Sequence, residues 1–193
     1  MLSLQPPSQQ IAAKLARAQQ QTGLEHYWAI EKSGRIYEGS GRPDHVIAGA
    51  ELEAAYDVHA SDLRYHHSHP DERALSPSDL GLLHRSGVRE VWAHSVNGAS
   101  YGAALVDPAA KAHFQSLLDK LHGHMDVELV NAQGYSITTD EFEAFRDLAA
   151  CEALESRGVI RTHIRLSDAM RRRWLSEHCT FIAIRSYFAS VLV

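Results

Sequence analysis

Residues 65 to 79 read Tyr65-His66-His67-Ser68-His69-Pro70-Asp71-Glu72-Arg73-Ala74-Leu75-Ser76-Pro77-Ser78-Asp79. The run Leu63 to His69 predicts a strand, and Pro70, which has no amide to offer a ladder, stops it. Ser76 at the N-cap, Pro77 at the first helical position and Asp79 in the first turn then predict a helix start. Side chains two apart on a strand share a face, so His67 and His69 project together while His66 and Ser68 project the other way. Two imidazoles so placed can share one metal ion. Asp79 can fold back over the strand end and add a carboxylate, which makes a His2Asp set with the open fourth position that distinguishes catalytic from structural zinc. Ser76 then caps its helix or presents its hydroxyl to the oxyanion of a tetrahedral intermediate.

Working outward, Ile11 to Gln21 has helical apolar spacing, and Leu24 to Gly39 reads as a hairpin around Lys32-Ser33-Gly34. Ala48 to Tyr56 reads as a short helix. The helix opened by Ser76 closes at Gly87. Val88 to Val96 and Ala99 to Val106 flank Asn97-Gly98, a dipeptide suited to a type I′ turn. Strand, helix and hairpin in this order predict a mixed α/β sheet packed with helices. Beyond Asp107-Pro108 the chain turns mainly helical: helices over Ala109 to His122, Asp140 to Ser156, Ser167 to His178 and Phe181 to Val193, with a strand at Val127 to Val130. The expected organisation is a lead-in over 1–23, a core over 24–106 and a mainly helical extension over 107–193.

The chain has 193 residues, 45% of them hydrophobic and 22% charged, enough for one packed core and too few for a (β/α)8 barrel. The net charge of -5 argues against nucleic acid as a partner, and Arg171, Arg172 and Arg173 read as a solvated helix face. The start, MLSLQPPSQQ, lacks the charged and apolar regions of a signal peptide, and the apolar stretch Cys179 to Val193 is too short to span a bilayer. Cys151 and Cys179 read as free thiols in a reducing compartment. These features predict a cytoplasmic protein, or one delivered as an effector or toxin. Thirteen histidines are several times the ordinary share and direct attention to metal or acid–base chemistry. His94, on a neighbouring strand, is a candidate to support the metal ligands from behind. A metallo-β-lactamase pattern needs histidine where Glu72 stands.

The stretch His67-Ser68-His69-Pro70 followed by Ser76-Pro77-Ser78-Asp79 resembles the His-x-His … Ser-x-x-Asp signature of the JAMM (JAB/MPN) metallopeptidases. Six residues separate His69 from Ser76, one fewer than in the eukaryotic deubiquitinases, which is similar to the prokaryotic branch. Val91 to Tyr101 is similar to the hairpin that follows in JAB-like domains of phage proteins and toxins. The resemblance covers about residues 24 to 106. It implies a sheet like that of the cytidine deaminases, a Zn2+ ion held by His67, His69 and Asp79, and a glutamate acid–base. Glu25 is the best match for that glutamate, and Glu31 shares its strand parity. The implied reaction is hydrolysis of a peptide or isopeptide bond in a protein or peptide substrate, ubiquitin-like tails included. The alternative is a non-catalytic JAMM-fold binding module that recruits a partner through the helices after residue 106.

Overall fold

The computed structural model describes residues 9–193, so the proline-containing start of the expected lead-in lies outside the described residues. The chain forms a mixed α/β structure around one six-stranded sheet. Helix α1 (Gln9–Thr22) precedes a hairpin of β1 (His26–Ile30) and β2 (Ile36–Ser40), with Gly34 supplying a φ of 91° in the turn. Helix α2 (Ala50–Tyr56) follows, then β3 (Leu63–His69), α3 (Pro77–Gly81), and the hairpin of β4 (Val88–Ser95) and β5 (Ser100–Leu105). The spatial order is β2-β1-β3-β4-β5, with β6 (Ile160–Arg165) at the far edge. Among the described residues only β3 and β4 run parallel; the segment between them, with α3 and a 3-10 turn at Leu82–His84, is the crossover that parallel neighbours require.

The turn between β4 and β5 differs from the type I′ expected for Asn97-Gly98. The Gly98 amide donates to the Ser95 carbonyl at 3.2 Å, so Val96 and Asn97 are the central residues, and Gly98 follows with φ 86°. Asp62 is the only non-glycine among the described residues with positive φ, so Asn97 stays right-handed. This is the three-residue loop in which a type I turn is followed by a left-handed glycine.

After residue 106 come α4 (Lys111–His122), α5 (Val127–Asn131), α6 (Thr139–Ser156), α7 (Asp168–Ser176) and α8 (His178–Val191). The segment expected as a strand at Val127 to Val130 is helical. The Asp126 side chain accepts from the Glu128 amide at 2.9 Å and starts a helix there, with only Val130 buried. Conversely, Ile160-Arg161-Thr162-His163-Ile164-Arg165 alternates with period two and pairs antiparallel along all of β5. The mainly helical segment therefore also completes the sheet. A single apolar core joins Ala29, Val91 and Ala103 of the strands to Leu80, Phe114 and Phe145 of the helices. Burying each such aromatic side chain is worth about 2 to 3 kcal/mol. On the other side, α1 packs against β1, β3 and β4. Among the described residues no helix is long and apolar enough to cross a membrane. Cys151 is buried, Cys179 is exposed, and both are free.

Candidate metal centre

Strand β3 is the centre of the sheet and is buried over most of its length. Its alternation sends Tyr65, His67 and His69 toward the apolar core and His66 and Ser68 toward α1. His67 lies opposite Tyr27 on β1 and beside Ala93 on β4, and His69 beside Ser95, at the carboxyl end of the strand.

The cap at Ser76 brings the third group in. The Ser76 hydroxyl accepts from the Asp79 amide at 3.2 Å, and the Ser76 amide donates to Asp79 Oδ2 at 2.8 Å, a reciprocal capping box. The same hydroxyl donates to Asp79 Oδ2 at 2.7 Å. So oriented, Asp79 places Oδ1 3.0 Å from His67 Nε2 and Oδ2 3.4 Å from His69 Nε2. The two Nε2 atoms lie 2.9 Å apart. A tetrahedral zinc with bonds of about 2.0 to 2.1 Å spaces its donors roughly 3.3 Å apart, and the three atoms are close to that spacing. His69 Nδ1 faces the Arg73 carbonyl at 3.0 Å; donating there fixes the tautomer that leaves Nε2 as a lone pair. His67, His69 and Asp79 thus form a group that can hold a metal ion.

The electrostatics of the cluster favour positive charge. Burial opposes a charged His69 ring, but Asp79, the Arg73 carbonyl and Glu25 outweigh it and bring its pKa up to about 9. Burial would likewise raise Asp79, and His67 and His69 overcome it, holding the carboxyl well below its usual range.

Glu25 reaches the same cleft. It sits one residue before β1, its amide bonded to the Arg42 carbonyl at 2.9 Å and its carbonyl to the Gly41 amide at 2.9 Å. Continuing the Tyr27–His67 register by two residues puts Glu25 across from His69. Only 5% exposed, its carboxyl is pushed up to about 7 by burial, with His69 pulling down and Asp79, Asp44 and Asp71 pushing up. Glu31 is elsewhere: it lies beyond the far end of β1, where its side chain bonds Ser33 and, at 3.3 Å, the Tyr37 hydroxyl.

His94 does not support the ligands. It lies on the α1 side of the sheet, its Nε2 3.2 Å from His66 Nδ1 and its Nδ1 2.9 Å from the Ser100 hydroxyl. Burial drives its pKa down to about 3, so the stacked pair is neutral.

The cleft, of about 410 Å³, is also walled by residues that spacing did not single out: Tyr56, Tyr65, and Arg146 with Asp147 of α6. Arg146 Nε donates to Asp147 Oδ1 at 3.0 Å, and Nη1 to Glu143 Oε1 at 2.9 Å. Burial raises the Asp147 carboxyl and Arg146 partly offsets this. The signal was an acid at a buried position of α6, flanked by Phe145 and Leu148.

The chain matches no protein-family model, no curated protein and no solved structure.

Proposed function

We propose that the chain is a zinc-dependent hydrolase of peptide or isopeptide bonds, of the JAMM type with a sheet like that of the cytidine deaminases. The observation that carries this reading is the convergence of His67 Nε2, His69 Nε2 and an Asp79 oxygen in a cleft that also holds the buried carboxyl of Glu25. Two imidazoles and one carboxylate are a donor set that suits zinc, and three protein ligands leave a position open. Zinc bound there supplies a Lewis acid that activates water and polarises a carbonyl.

Glu25 takes the proton of the attacking water and returns it to the leaving amine; burial raises its carboxyl, and the positive charge of a bound zinc pulls it back toward the carboxylate that accepts a proton. The Ser76 amide keeps its bond to Asp79 while the hydroxyl turns to donate to the oxyanion. The substrate is a protein or peptide segment, ubiquitin-like tails among the candidates; the net charge of -5 speaks against nucleic acid.

The test is zinc content by elemental analysis of the wild type beside a His67→Ala/His69→Ala variant, followed by amide hydrolysis of ubiquitin-like and peptide substrates. One zinc per chain, lost in the variant, with hydrolysis that follows zinc, supports the reading. Absence of zinc from the wild type after reconstitution overturns it.

A further inference from the structure

At the opposite end of the sheet, where β4 begins and β5 ends, a second cavity of about 400 Å³ opens between Val88, Ala104, Leu105, Val106 and Pro108. His69 pairs with Ser95 at one end of β4 and Val88 begins the other, so the cavity lies roughly 20 Å along the strand from the metal cleft. It belongs to neither the ligand set nor the acid–base machinery.

Its charged lining is asymmetric in how it is satisfied. The two carboxylates, Asp62 and Glu90, are both taken up by Arg89, at 2.9 and 3.1 Å, and Glu90 also accepts from the Trp92 indole at 3.1 Å. Lys111, the first residue of α4, has no such counter-charge among the described residues. Its single hydrogen-bond partner among the described residues is the Arg85 carbonyl, at 2.5 Å, which leaves two of its three N–H groups to spare. Burial pulls its pKa down, and no opposing carboxylate offsets that. A half-buried ammonium without a partner anion, set in the wall of an apolar cavity, is a costly arrangement that an anion would relieve. Arg161 lines the same cavity. Small-molecule sites have this form: a largely apolar hollow of this size with a few convergent polar groups.

We propose that this cavity binds a small apolar carboxylate, its hydrocarbon body against Val88, Leu105, Val106 and Pro108 and its carboxylate on the Lys111 ammonium. One point charge suits one carboxylate. The site is independent of the proposed hydrolysis, and a failure of either leaves the other standing.

Octanoate and 1-octanol, titrated into the metal-free full chain by calorimetry and by amide chemical shifts, test it. Metal-free protein removes the competing attraction of a carboxylate for zinc. Octanoate is expected to bind one to one and to shift the amides of Val88, Glu90, Leu105 and Lys111, with 1-octanol roughly tenfold weaker. Lys111→Met is expected to cost octanoate about tenfold while leaving 1-octanol unchanged, and Lys111→Arg to restore most of the loss. Ala104→Phe, which fills the cavity, is expected to abolish both. No saturable octanoate binding, equal affinity in Lys111→Met, or shifts confined to residues 67–79 each overturn the proposal; thermal melts of each variant verify that it is folded.

Discussion

The thiol of Cys151, in the middle of α6, donates to the backbone carbonyl of Leu75 at 3.6 Å, one residue before the cap that orients Asp79. A helix from the far half of the chain thus contacts the segment that carries the carboxylate of the candidate metal cluster. Arg146 and Asp147 of the same helix wall the cleft, and β6 covers the edge of β5. A chain ended at residue 106 is therefore expected to lose cooperative melting and stoichiometric zinc, whereas Cys151→Ala costs only about 1 to 2 kcal/mol and keeps the metal. Circular dichroism melts with metal analysis decide it; a 1–106 fragment that melts cooperatively with one zinc refutes this dependence.

Asp79 closes the cap and is placed to serve as the third donor to a metal, and substitution probes both roles. Asp79→Asn retains an oxygen to accept from the Ser76 amide but loses the charge that His67 and His69 favour, so zinc affinity is expected to fall by at least tenfold and the metal-free protein to melt lower at neutral pH. Ser76→Ala keeps the carboxylate and removes its support: about 1 kcal/mol of stability goes with the cap, and zinc affinity drops by roughly tenfold as the carboxylate loosens. Competition with a fluorescent zinc chelator measures both affinities, and a Ser76→Ala variant with wild-type stability contradicts the capping account.

For Glu25 the expected kinetic result is retention of zinc in Glu25→Gln with hydrolysis reduced by about 100-fold or more, against no change in Glu31→Gln. An independent readout comes from pH. The folded pKa of about 7 lies above the ordinary 4.5, so the native state holds the proton more tightly than the unfolded chain does. The contribution of Glu25 to the stability of the metal-free protein is then expected to fall as pH rises from 4.5 to about 7, at about 1.4 kcal/mol per pH unit and roughly 3 kcal/mol in all. Glu25→Gln removes that slope, so its stability relative to wild type is expected to climb across this window and level off above it. Urea titrations at stepped pH measure the difference, and a pH-independent difference overturns the assignment.

Gly102 faces the Trp92 ring across the β4–β5 pair, and a Cβ built there meets the ring at 2.5 Å. Trp92 is fully buried, with its indole donated to Glu90, so it has little room to give. Gly102→Ala is expected to cost about 1 to 3 kcal/mol by overpacking and to leave zinc content unchanged, because the strain falls on the α1 side of the sheet. A shift of the urea midpoint reads the cost; a neutral or stabilising result contradicts the contact.

The local chemistry of the metal cluster was legible because it is short-range. Parity on β3 and the Ser76-Pro77 start depend on neighbouring residues alone, and both stand in the structure as the sequence predicts. The strand expected at Val127 to Val130 failed because a short apolar run has no periodicity to separate strand from helix, and the Asp126 cap decided it. The Ile160–Arg165 strand carries a clear alternation, but its partner, β5, ends 55 residues earlier. Arg146 and Asp147 escaped for a related reason. Their place in the cleft follows from how α6 docks on the core, which no local spacing encodes. His94 shows the limit of proximity in sequence terms: neighbouring strands put it close to His67, and the parity of β4 turns it to the opposite face.

Helix α3 spans five residues, well short of the length at which a helix persists in water by itself. Its geometry is held by the Ser76–Asp79 box and by the burial of Leu80, and the same box aims Asp79 at His67 and His69. Winding of that single turn and assembly of the donor set are consequently one event. The Leu80 amide donates to the Ser76 carbonyl at 3.0 Å, so its exchange with deuterium is expected to slow in step with metal occupancy, which would make one backbone proton a reporter for the whole cluster.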